Sequence, residues 1–132
     1  MDTSGWAAWA DQAEQYHAPA QTRIDEVLNQ GGQLITTSYV LLELSALLTR
    51  MRFDKGRQIR FLTDLKADPS VTVLFIDEPR DAKAWQHWSG RGDKQWTLVD
   101  CASFVVMQEE GLTEAITSDH HFEQAGFVRL LK

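Results

Sequence analysis

Short apolar runs separated by amphipathic helical stretches are the feature that most restricts how this chain can fold. The runs are Leu34–Thr37, Val71–Ile76, Ala115–Ser118 and Phe127–Leu131. Val71 to Ile76 alternates little, as expected of a parallel strand covered on both faces. Strands that alternate with helices predict a parallel sheet with helices on both sides. The expected class is α/β: three layers, α/β/α, around a central parallel sheet, in one domain over residues 1–132.

The spacing of apolar residues sets the helices. Trp6, Trp9, Ala10 and Ala13 predict a first helix over Ser4–Tyr16, with Ser4 as its N-cap. A second follows Pro19, carries Ile24, Val27 and Leu28 on one face, and stops at Gly31-Gly32. Ser38 is expected to cap a third, running to about Arg50 with a stripe of Val40, Leu41, Leu44, Leu47 and Leu48. Others run from near Asp54 to Asp68-Pro69, from Pro79 through Trp85 and Trp88, and from Thr97 to Gly111. A helical turn is expected over His121–Ala125.

Within this frame four acids stand out: Asp2, Glu43, Asp100 and Asp119. Each sits among apolar or small residues, where an ionised carboxylate is costly unless paired or metal-bound. Asp119 directly follows the strand Ala115–Ser118, on the edge where open parallel sheets bind ligands. Glu43 lies about one turn into the helix leaving Leu34–Thr37. Asp100 lies in the first turn of its own helix, near the positive end of the dipole. The topology can therefore bring all four to one rim. Clustered acids with no nearby cation predict a site for a hard divalent ion, and such ions often serve phosphoryl chemistry. Taken singly, Thr97 to Asp100 also reads as a capping box, and Asp119 as a cap for the turn at His121.

Composition narrows the class of partner. The 132 residues carry a formal net charge of −6, which argues against a broad basic nucleic-acid surface. Acids committed to metal ions escape that exclusion, because the ions attract phosphate. No apolar run approaches the roughly 20 residues that span a bilayer, and no basic-then-hydrophobic leader opens the chain, so no membrane association is expected. The lone Cys101 fits a reducing compartment, and a cytoplasmic location is expected.

Asp2-Thr3-Ser4-Gly5, Thr37 to Leu44 around Glu43, Thr97 to Phe104 around Asp100, and Thr117-Ser118-Asp119-His120-His121-Phe122 resemble the ordered motifs of the PIN-domain family. The similarity spans nearly the whole chain and is closest to small prokaryotic members, which include VapC-type toxins. It implies a metal-dependent endoribonuclease cutting single-stranded RNA to 5′-phosphate and 3′-hydroxyl ends. It implies Mg²⁺ or Mn²⁺ held by Asp2, Glu43, Asp100 and Asp119, with Thr3 or Ser4, and Ser118, supporting the metal shell. Asp93 resembles an accessory acid of some members. A homodimer, and an antitoxin whose arm pairs an arginine with the carboxylates, are further implications.

One departure concerns the sheet. In the family a short apolar strand precedes the first aspartate, and here that strand is truncated. A late start assignment, closure of the sheet, or a strand from another chain would each account for it. For the chain as given, Asp2 is expected to be poorly held and metal affinity low. The truncation also supports an alternative, a catalytically inactive PIN-like scaffold that binds RNA or a partner protein.

Arg50, Arg52, Lys55, Arg57 and Arg60, with Phe53 and Phe61 between them, form the one dense basic stretch. They are substrate-grip candidates, set against a solvated helix-hairpin surface. Oxygen-rich surroundings favour Mg²⁺ or Mn²⁺, so His120 and His121 are read as structural rather than as ligands. The five tryptophans are read as core and interface anchors. A haloacid-dehalogenase phosphatase would want a second aspartate at position 4, where Ser4 stands. A flap-type nuclease would need acids and insertions for which the chain has no room.

Overall fold

A computed structural model describes residues 1–132, and every expected helix is present in it, although the first ends at Ala10 rather than Tyr16 and leaves Ala13 exposed beyond it. The order is α1 (Thr3–Ala10), α2 (His17–Asn29), β1 (Leu34–Thr37), α3 (Ser38–Arg50), α4 (Lys55–Ala67), β2 (Val71–Leu74), α5 (Glu78–Ser89), α6 (Leu98–Glu110), β3 (Glu114–Ala115), α7 (His121–Gln124) and β4 (Val128–Arg129). All pairing is parallel. β1 lies beside β2 with Leu34 opposite Val71, and β3 lies beside β4 with Glu114 opposite Val128. The α/β reading holds. No helix is long and apolar enough to cross a membrane.

The two strand pairs are joined by the first two residues. The Met1 ammonium donates to Ile35 O at 2.6 Å, and Asp2 N–H donates to Ile116 O at 3.2 Å. Thr36 Oγ1 donates to Met1 O at 3.0 Å and accepts Trp6 Nε1–H at 3.1 Å. Met1 and Asp2 thus occupy the midline between β1 and the segment after β3. Asp2 is 5% exposed, which corrects the expectation that it would be poorly held.

Gly5 makes this approach feasible. A Cβ there would lie 2.3 Å from Ile116 O, closer than real Cβ atoms come to any atom. Only glycine lets α1 press its first turn against the residues that follow β3. Without that contact Ser4 and Asp2 could not reach Thr117.

Two apolar clusters flank the sheet. One gathers Trp6, Ile24, Leu34, Val40, Leu44, Leu48 and Leu65. The other holds Trp96, Cys101, Phe104, Met107 and Phe122. Phe104 meets Trp96 and Phe122 edge-on with centroids 5.2 and 5.1 Å apart, pairs worth about 0.5–1.5 kcal/mol each beyond their burial. α6 is buried from Asp100 through Met107, which carries its first turn, and Asp100 with it, into the interior.

Several local readings change. Thr37, not Ser38, caps α3 by accepting Val40 N–H, while Ser38 Oγ accepts Ile76 N–H from the neighbouring strand's end. Ser4 does not cap α1, whose N-cap is Asp2 without a side-chain bond. β2 is half-exposed along its length rather than covered on both faces, because it is the outer strand of its pair and Phe75 beyond it is exposed. Trp6 and Trp96 are core residues, whereas Trp85 and Trp88 are exposed and pack edge-on against each other.

Candidate metal centre

The four acids converge through a chain of hydrogen bonds. Thr3 Oγ1 donates to Glu43 Oε1 at 2.5 Å, tying the start of α1 to α3. Thr117, fully buried, donates its hydroxyl hydrogen to Asp2 Oδ2 at 2.9 Å and accepts Asp119 N–H at 3.0 Å. Ser4 Oγ lies 3.0 Å from Thr117 Oγ1 and accepts Ser118 N–H at 3.0 Å. On the far side, His121 Nδ1 stands 3.0 Å from Asp100 Oδ2 and 3.3 Å from Asp119 Oδ1. Hydrogen bonds thus link Asp2, Asp119 and Asp100 through Thr117 and His121, while Glu43 is tied to Thr3, the chain neighbour of Asp2, and its charge and that of Asp100 act on Asp2.

Asp100 does two jobs. Its Oδ2 accepts Thr97 N–H at 3.0 Å while Thr97 Oγ1 accepts Asp100 N–H at 3.1 Å, a reciprocal capping box. The same oxygen faces His121. Capping thus fixes the rotamer that presents the carboxylate. Thr97→Ala should lower the melting temperature through a loss of about 1 kcal/mol, and Thr97→Ser should restore it. Unchanged melting in the alanine variant would show that the cap contributes nothing.

The electrostatics leave a demand for positive charge. Burial pushes the Asp2 carboxyl up from 3.8 to about 6, against the opposing hydrogen bonds from Thr3 N–H and Thr117, and the charges of Asp100 and Glu43 push it the same way. Asp2 Oδ1 is buried with no hydrogen-bond partner. A buried carboxylate oxygen without a partner costs about 1–3 kcal/mol or more, so one is expected only where something else meets it. A hard cation held by oxygen donors would meet that oxygen, and the donor set of Asp2, Glu43, Asp100 and Asp119 suits a divalent ion. The side chains whose ligand atoms all lie within 4.8 Å of one another are Asp119, His120 and His121.

Other sequence-derived candidates stand elsewhere. Asp93 is exposed and held by Arg91, whose Nε and Nη2 donate to it at 3.0 and 3.1 Å and keep its carboxyl below the usual range. Of the Ser118 backbone, N–H is taken by Ser4 and the carbonyl accepts Arg129 Nη1–H at 3.0 Å. Arg50 sits in the last turn of α3, about 10 Å of helix beyond Glu43. Arg57 lies with its guanidinium carbon 3.8 Å from the Phe53 ring centre and donates to Ala10 O. Lys55 opens α4, and Arg52 occupies the tight turn before it with φ of 63°. None of these cations contacts the four acids. Sequence reasoning assigned no role to Thr117, whose partner Asp2 is 115 residues away.

The PIN domain family matches residues 1–128. The 23S rRNA-specific endonuclease VapC20 of Mycobacterium tuberculosis is 25% identical over 130 residues, covering 98% of this chain and 95% of the relative. The same endonuclease from a second strain of that species matches equally. The crystal structure of Mycobacterium tuberculosis VapC20, described as a sarcin-ricin loop cleaving toxin, superposes with a TM-score of 0.84 at 25% identity. That match covers 99% of this chain and 97% of the other.

Proposed function

The chain belongs to the PIN-domain family, and from that premise we propose that it is a metal-dependent endoribonuclease whose centre is Asp2, Glu43, Asp100 and Asp119. The single observation that carries the assignment of the centre is the buried, unpartnered Asp2 Oδ1 inside a connected cluster of carboxylates. Asp2, Asp100 and Asp119 hold the ion, Mg²⁺ or Mn²⁺, and Glu43 holds it directly or through water. When bound, such an ion lowers the pKa of a coordinated water and offsets charge on the phosphate. Thr3 fixes the Glu43 carboxylate. Thr117 aligns Asp2 with Asp119, and Thr97 holds Asp100 in place.

The substrate class is single-stranded or looped RNA, and the first sequence to assay is the sarcin-ricin loop of 23S rRNA, which the relative cleaves. Cleavage should stop on adding EDTA and return with excess Mn²⁺ or Mg²⁺, leaving 5′-phosphate ends. An RNA-binding protein that cuts no RNA with either ion would instead be a scaffold. Because the relative is a toxin, we extend the reading to an antitoxin partner that covers the acidic rim, and to action in the cytoplasm, where ribosomal RNA lies. We also propose a homodimer built on the exposed apolar side chains of Leu42 and Phe75, 69% and 67% exposed. Sedimentation at the mass of one 15.0 kDa chain would exclude it.

A further inference from the structure

We infer that His121 supplies a nitrogen ligand to the divalent ion and so biases this centre toward Mn²⁺ over Mg²⁺, an inference that rests on the metal-nuclease reading above. The motif reading treated both histidines as structural. The geometry argues otherwise for one of them.

One nitrogen, His121 Nδ1, faces two carboxylates from different elements, at 3.0 Å from Asp100 Oδ2 and 3.3 Å from Asp119 Oδ1. Neighbouring ligands of an octahedral ion with bonds of about 2.1 Å stand about 3.0 Å apart. The separations at His121 are hydrogen-bond distances that neighbouring ligands of one ion also show, and His121 together with Asp119 and His120 offers ligand atoms that all lie within 4.8 Å of one another. His121 thus stands beside Asp119, the acid with which it would share the ion, as well as beside Asp100.

The ring is also held there. His121 opens α7, its backbone N–H bonds Asp119 Oδ1 at 2.9 Å, and its side chain is 16% exposed. Phe122, the next residue, is buried in the core and anchors the turn. His120 is different. Its side chain is 64% exposed and its Nδ1 is 3.7 Å from Asp119 Oδ1, so it stands at the margin. An independent sign that a cation belongs here is the unpartnered Oδ1 of Asp2, a residue 5% exposed.

Coordination through Nδ1 needs the neutral tautomer with its hydrogen on Nε2. An all-oxygen shell suits Mg²⁺, whereas imidazole adds affinity for first-row transition ions. A single well-placed nitrogen therefore changes which ion the chain selects.

The test uses the whole chain with Mn²⁺ and Mg²⁺ as probes. Calorimetric titration should give Mn²⁺ at least about tenfold tighter binding than Mg²⁺. Pulsed electron paramagnetic resonance of the Mn²⁺ form should show a directly bonded ¹⁴N. His121→Gln should remove that coupling and weaken Mn²⁺ by about tenfold or more, with Mg²⁺ changed less than about twofold. His120→Gln should keep the coupling. A wild-type Mn²⁺ spectrum without nitrogen coupling overturns the His121 assignment while leaving the oxygen-ligated centre intact. Coupling that disappears in the His120 variant and survives in the His121 variant also overturns it. Failure of the wild-type chain to bind either ion overturns both readings. The wild-type spectrum decides even if His121→Gln does not fold.

Discussion

Asp119→Asn is expected to reduce RNA cleavage by more than about a hundredfold while leaving the melting temperature near that of the parent. A loss of that size exceeds what removal of a mere supporting residue costs. The fold should survive because of what Asp119 does locally. Its Oδ1 accepts His121 N–H at 2.9 Å, closing the turn into α7, and an asparagine carbonyl can accept the same bond. Its backbone N–H, bonded to Thr117, is untouched. What asparagine cannot supply is the negative charge that offsets the ion's own, since its carbonyl is a neutral and weaker ligand. Cleavage measured on a single-stranded RNA, beside a thermal melt of the same sample, separates the two effects. A variant that cuts at the parental rate would remove Asp119 from the centre.

Asp2→Asn should have the opposite signature, a gain in stability with a loss of ion binding. Burial raises the Asp2 carboxyl to about 6, so the folded chain holds this proton more tightly than the unfolded chain does. The sign follows from proton linkage. Between about pH 4 and 6 the native state binds more protons, and the stability of the ion-free parent falls as pH rises through that window. Above it the ionised carboxylate is a standing destabilisation of about 1–3 kcal/mol. Asparagine does not titrate and still offers an oxygen to Thr117 Oγ1. In EDTA near neutral pH the variant should therefore melt several degrees above the parent. Below about pH 4 the difference should vanish. A variant that melts lower than the parent near neutral pH would show that Asp2 is already satisfied without a cation.

Most of the scaffold was legible because periodicity and punctuation agreed. The α3 stripe, the Asp54 cap of α4, Pro79 in the first turn of α5, and the Thr97 box with Gly111 after α6 are local signals, and local structure followed them. Where two adjacent residues could both cap, sequence could not choose. Thr37 and Ser38 have the same chemistry, and the decision came from Ile76, whose N–H claimed the serine. The exposure of β2 depends on its being the outer strand, which is a property of topology and not of the segment itself.

The acids were legible individually, since each sits among apolar or small residues in a recognisable motif. Their linkage was not. Thr117 reads as one more polar residue after a strand, and only folding sets its hydroxyl between Asp2 and Asp119. His121 reads as half of an adjacent pair, and nothing local distinguishes it from His120. The difference is depth: one ring turns inward between two carboxylates, the other outward to water. The basic stretch shows the converse. It is conspicuous in sequence, yet Arg57 is engaged with Phe53 and the end of α1, far along the helices from the acids.

The midline made by Met1 and Asp2 has a mechanical consequence. Two backbone bonds, to Ile35 and Ile116, and one hydroxyl, that of Thr36, span the seam between the halves of the sheet. One of the two residues that close that seam, Asp2, also carries a buried carboxylate with an unpartnered oxygen. Any cation that settles at Asp2 would therefore neutralise a buried charge at a residue whose backbone bridges the two halves of the sheet.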